Sequence, residues 1–131
     1  MIRYLTAPEM ISLARDHLGT AFGLRDRGLV ELAAARPQWT AYRELSQKAA
    51  VLLRSLVTSY PFVDQNKRIG LLVTGVFVLV NGRAVPSDRQ DEEYRLVSDI
   101  AAGRVTDIPT IARRLGKLWS IDQAPAMDSA S

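Results

Sequence analysis

The stretch N-K-R-I-G-L-L-V-T-G-V-F-V-L-V-N-G, Asn66 to Gly82, decides how the rest of the chain is read. Its apolar residues do not alternate and many are β-branched, so it suits a strand buried on both faces as well as a helix apolar all round. Length separates the two. From Asn66 to the Asn81-Gly82 terminator there are about 15 residues, and an ordinary strand has about 5–6. The stretch is therefore predicted to be the central helix of a bundle, at about 66–81, with Gly75 as the small residue where a neighbour packs closely.

The flanking sequence is also helical by period. Upstream, from Tyr42 to Thr58, Leu45, Ala49, Leu52, Leu53 and Leu56 recur at helix spacing and mark one buried face. Thr6 with Glu9 three residues on forms a capping box and Pro8 fits the first turn, so a first helix is predicted to run to about Leu18 and stop at Gly19. A short helix fits Arg27 to Arg36, ended by Pro37. Downstream, one helix is predicted from about Ser87 to Ala102. Another starts at Asp107, with Ile108, Ile111, Ala112, Leu115 and Leu118 on one face. The fold class is all-α, a compact helical bundle: residues 1–120 form one domain, and 121–131, polar and small, are expected to be a disordered tail.

Composition narrows the function classes. The chain has 131 residues, 17 Lys plus Arg against 14 Asp plus Glu and no cysteine. The mild positive excess is dispersed, which argues against direct nucleic-acid binding and allows an anionic ligand or an acidic partner segment. The longest uncharged apolar run, Ile69 to Val80, is about a dozen residues, too short for a membrane span of about 20. The opening residues carry no apolar signal segment, and the expected location is cytoplasmic.

Just before the apolar helix lies S-Y-P-F-V-D-Q-N-K-R, Ser59 to Arg68. A helix start offers unpaired N–H groups and the positive end of a dipole, both of which favour an anion. Asn66 can donate to a phosphate oxygen, Lys67 supplies a point charge and Arg68 a bidentate fork. Asp64 has the wrong sign for that anion unless a Mg²⁺ stands between it and the phosphates. The same residues also fit a structural account in which Asp64 caps the helix, Asn66 makes a turn, and Lys67 and Arg68 are solvated charges. Spacing alone does not choose between the two.

Pro61 to Arg68 resembles the signature of the Fic/Doc superfamily: His, any residue, Phe, any residue, an acid, any residue, Asn, Lys or Gly, Arg. Gly23 to Gln38 is similar to the segment these proteins carry upstream, and Leu79 to Gly82 suits the end of their central helix. Adenylyl-transferring Fic proteins usually have Gly-Asn-Gly before the Arg and a second Arg three residues after it. Here those positions hold Gln65-Asn66-Lys67 and Leu71, which resembles the Doc branch, the short toxins of death-on-curing type. The resemblance implies a Fic/Doc fold and a kinase that uses ATP and Mg²⁺ to phosphorylate a threonine of elongation factor Tu, halting translation. Phe62 would support the motif, Asp64 would hold the metal, and Asn66, Lys67 and Arg68 would hold the phosphates, with Arg68 also catalytic. A Phd-type antitoxin would neutralise the toxin by laying its C-terminal segment, as a helix, in a groove beside the site.

One position departs from the pattern. Tyr60 stands where the family has its general-base His. A tyrosine phenol is ordinarily protonated near neutral pH and is a poor base, and losing a positioned base typically costs about 10²–10⁴-fold in rate. The chain is therefore expected to be catalytically impaired, through an engineered replacement that permits expression or, less economically, as a natural pseudoenzyme. The alternatives are a non-catalytic module that binds the antitoxin as a corepressor, and an adenylyl transferase. His17, the only histidine, fits the end of the first helix better than a replacement base. Trp39, Tyr42 and Trp119 read as packing residues, and Arg25-Asp26 either as part of a target-positioning flap or as an exposed turn pair.

Overall fold

The computed structural model describes residues 1–122. Six α-helices lie among them: α1 (Ala7–Leu18), α2 (Arg27–Ala35), α3 (Leu45–Ser59), α4 (Asn66–Val80), α5 (Gln90–Ala101) and α6 (Ile108–Trp119). Among the described residues the sole β feature is an isolated antiparallel bridge between Leu24 and Phe62. No helix there is long and apolar enough to cross a membrane.

Local chemistry sets most of the helix ends. The Thr6 hydroxyl accepts from Glu9 N at 3.2 Å and the Glu9 carboxylate accepts from Thr6 N at 2.9 Å, the reciprocal box predicted for α1. Asp26 caps α2 by accepting from Leu29 N at 3.2 Å. Pro37 does not end that helix abruptly, because the chain continues in a 3₁₀ turn over Arg36–Gln38. The third helix starts at Leu45 rather than Tyr42 because the Gln47 side chain accepts from Arg43 N and Glu44 N and closes the helix start there. Likewise α5 starts at Gln90 rather than Ser87, with Asp91, Glu92 and Glu93 in its first turn, where the helix dipole favours acids.

The two middle helices are α3 and α4. On α3, Leu45, Ala49, Leu52, Leu53 and Leu56 are all buried, as the periodicity predicts, and so are Ala50, Val51 and Val57. That helix packs on α2, α4, α5 and α6. The apolar helix α4 buries Ile69, Val73, Phe77 and Val78 and leaves Leu79 and Val80 part-exposed at its outer end. The close approach between the two is at Gly70, not at Gly75. A Cβ on Gly70 would stand 2.9 Å from Val57 Cγ2, whereas one on Gly75 would meet nothing nearer than Val85 Cγ2 at 3.8 Å, an ordinary contact.

The expected boundary at 120 falls too early. Ile121 is fully buried in the core, and the carboxylate of Asp122 accepts from the Ser46 hydroxyl at 2.9 Å. Fully burying such an aliphatic side chain stabilises by about 1.5–3 kcal/mol. The remainder of the predicted tail, Ala124 to Ser131, lies outside the described residues.

Candidate functional site at the start of α4

The loop that joins α3 to α4 contains two left-handed residues, Tyr60 at φ 54° and Gln65 at φ 66°. Neither is glycine, so each needs outside support. Part of it comes from Asn66. Its side chain is buried, its Oδ1 accepts from Phe62 N at 3.1 Å and its Nδ2 donates to Phe62 O at 3.0 Å. Phe62 in turn is inserted in the core, its ring 6.1 Å from that of Phe22.

A second support is the segment ahead of α2. Val63 N donates to Gly23 O at 2.9 Å, and Arg25 N and Asp26 N both donate to Pro61 O, at 2.9 and 3.0 Å. Gly23 has to be small here, since a Cβ would lie 2.9 Å from Val63 Cγ2. The Arg25 guanidinium donates to Ser59 O at 2.8 Å and to Tyr60 O. Arg25 thus braces the end of α3, and Asp26 caps α2; the pair is more than an exposed turn.

These contacts leave the outer face of the junction open. Gln65, at the N-cap of α4, makes no side-chain cap bond. Lys67 and Arg68 are exposed on the first turn and form no ion pair among the described residues. Asp64 is exposed as well and spends one oxygen on Gln65 N at 2.7 Å. The structure therefore brings Asp64, Lys67 and Arg68 together at an uncapped helix start. Asn66 differs from these three: its amide is turned inward and its Oδ1 and Nδ2 each bond the Phe62 backbone, so it shapes the loop.

A metal fits this donor set only as part of a phosphate complex. No group of three or more His, Asp or Glu gathers among the described residues. A single exposed carboxylate matches Mg²⁺, which is commonly held by one or two carboxylates with phosphates and water completing the shell.

Tyr60 is 52% exposed. It borders a cleft of about 220 Å³ with Arg54, Thr58, Ile100, Gly103, Val105 and Thr106. His17 is exposed in the last turn of α1, as expected of a dipole-compensating residue. Trp119 is buried and donates its indole N–H to Glu93 at 2.8 Å. Trp39, half-exposed, stacks on Tyr42 at 6.5 Å.

Fold and junction together define, among the described residues, an all-helical protein with two exposed cations and a carboxylate at an open helix start, set in a loop braced from a distant segment. The sequence profile of the Fic/DOC family matches residues 4–78, which take in α1 to α3, the braced loop and most of α4, and the chain belongs to that family. It is also 32% identical over 120 residues to "Toxin Doc" of Mycolicibacterium smegmatis, an alignment that spans 88% of this chain and 92% of the relative.

Proposed function

We propose that this chain is the toxin of a toxin–antitoxin pair, and that the start of α4 receives the phosphates of ATP bound as its Mg²⁺ complex. The reaction of the type would be phosphoryl transfer to a threonine hydroxyl of elongation factor Tu, which stops translation in the cytoplasm. The observation that carries the reading is the pair of exposed cations, Lys67 and Arg68, on the uncapped first turn of α4 with the Asp64 carboxylate beside them. When bound, ATP would supply the transferable group and Mg²⁺ would offset its negative charge, with Asp64 as the residue that would hold the ion.

The residues divide the work by chemistry. The first-turn N–H groups, with no intrahelical acceptor, point at the anion, and the helix dipole adds to their attraction. Lys67 contributes a mobile point charge, and Arg68 a planar fork that fixes the orientation of one phosphate. Asp64 would hold the cation. Asn66 acts one step back, by holding the Phe62 backbone and so the course of the loop.

A phenol at position 60 is a weaker general base than the imidazole that the family motif places there, so the chain as it stands would bind nucleotide and transfer slowly. That residue also favours a second reading, a non-catalytic module that engages a Phd-type antitoxin through that partner's C-terminal segment, bound as an amphipathic helix, and serves as a corepressor. Adenylyl transfer is disfavoured by Lys67 and Leu71. The decisive experiment is a single-turnover assay with Mg–ATP and elongation factor Tu, on this chain and on Tyr60→His. A gain of at least about 10²-fold is expected for a restored base. Phosphorylation in neither form sends the protein to the corepressor reading, and the mass added to the target separates phosphoryl from adenylyl transfer.

A further inference from the structure

An α-helix commonly ends on glycine in the left-handed conformation, with a backbone N–H of the cap closing onto carbonyls of the last turn. The third helix ends on Tyr60, left-handed at φ 54° and ψ 56°, without such a closing bond. The carbonyls at its end and just beyond are served by a residue far away in sequence. Arg25 Nη2 donates to Ser59 O at 2.8 Å, Arg25 Nε donates to Tyr60 O, and Arg25 N donates to Pro61 O at 2.9 Å. One residue thus holds three consecutive carbonyls.

We infer that Arg25 is a positioning residue for the reaction site, fixing the left-handed turn at residue 60 and thereby the direction in which that side chain leaves α3. The rigid spacing of the guanidinium donors suits this task, because two acceptors one residue apart are fixed in relation to each other. The constraint passes along the loop: Pro61 is held by Arg25 and Asp26, Val63 by Gly23, and Phe62 by Asn66 at the start of α4. Residue 60 and the phosphate-receiving turn are therefore set by one brace. Arg25 acts through the backbone and makes no contribution as a phosphate ligand. The inference rests on the reading that residue 60 and the start of α4 form one reaction site.

The test uses the full chain with Arg25→Gln and Arg25→Lys, read in two ways. Amide hydrogen exchange is followed at Phe62 and Val63, whose N–H groups are bonded to Asn66 and Gly23, with α1 and α6 as internal references. Turnover with Mg–ATP is followed in the Tyr60→His background. Losing charge-assisted bonds to the loop is expected to speed exchange there by about tenfold or more while the references hold. Turnover is expected to fall about tenfold, with less than about twofold change in KM for Mg–ATP, since the phosphate ligands are untouched. Arg25→Lys keeps the charge without the fork and is expected to recover less than half of the loss. Unchanged loop exchange in Arg25→Gln overturns the inference, as does full recovery by Arg25→Lys, which would mark a role for charge alone. Faster exchange throughout the protein also overturns it, since the role is then general stability. If Tyr60→His is inert with Arg25 intact, the phosphotransfer reading fails while the exchange data still decide whether Arg25 sets the loop.

Discussion

The starts of α4 and α6 each have an aspartate close by and use it in different ways. Each helix is preceded by an aspartate. At α6, Asp107 is the N-cap: its carboxylate accepts from Thr110 N at 3.0 Å and from the Thr110 hydroxyl at 2.7 Å, and the helix end is closed. At α4 the N-cap is Gln65, in a left-handed conformation and without a side-chain cap, and Asp64, one residue earlier, takes only Gln65 N. A shift of one position turns a stabilising cap into an available carboxylate and leaves the first-turn N–H groups open. One helix start contributes to stability, and the other is open to a ligand at some cost in stability.

The sharpest way to break this contrast is at Asn66, where α4 does invest in stability. Asn66→Ala would leave the buried N–H and C=O of Phe62 unpaired, at about 1–3 kcal/mol for each group. A fall of about 2–4 kcal/mol in unfolding free energy is expected in urea titrations; a fall below about 0.5 kcal/mol would mean that the inward clamp is not what holds the loop. Arg68→Ala tests the outward face. Loss of a charge-assisted fork is expected to weaken Mg–ATP binding by about 10–100-fold in calorimetry while the urea midpoint hardly moves. Unchanged affinity would return Arg68 to the role of a solvated charge.

A paired exchange of roles sharpens the comparison further. Asp107→Ala should lower the urea midpoint, as loss of a side-chain cap does, with nucleotide affinity untouched. Asp64→Ala should change stability by less than about 0.5 kcal/mol yet abolish the Mg²⁺ dependence of binding. Equal effects of the two on stability would show that the one-residue shift does not matter.

The smallest expected effect is with pH. Asp99 is held below the usual carboxylate range by hydrogen bonds from the Arg104 and Arg114 guanidinium groups, and Asp107 by the Thr110 hydroxyl and then its amide. For a carboxylate depressed in the folded state, the stabilisation is complete above the unfolded value, near about 4, and is lost as pH falls through the folded value. Acid should therefore loosen the α5–α6 end as pH drops below about 4, and Asp99→Asn should flatten that part of the stability profile. Amide exchange that rises first around α4 instead would contradict this.

Much of the fold was legible because it rests on short-range rules. The Thr6–Glu9 box, the buried stripe of α3, the length of α4 and the Asp107 start of α6 each involve residues within a few turns of one another. The motif, likewise, could be located from its own order of residues. Apart from the helix ends, four features were misread or missed, and each depends on how the fold packs segments that are distant in sequence. Gly70 rather than Gly75 is the tight contact because Val57 and Leu53 happen to lie over it. Ile121 belongs to the core because the bundle leaves a place for it, although the residues after it are polar and small.

The other two lie at the site. The amide of Asn66 can face a ligand or the loop, and only the burial of Phe62, which leaves its backbone groups in need of partners, turns it inward. Arg25 gains its role from Ser59 and Tyr60, 34 and 35 residues away. The sequence by itself determined the helices, their apolar faces and the residue types gathered at the start of α4, because period, caps and motif order are local properties. Which of those residues face outward and which serve the loop was decided only by tertiary structure. A buried backbone group must find its partner wherever the fold has brought one.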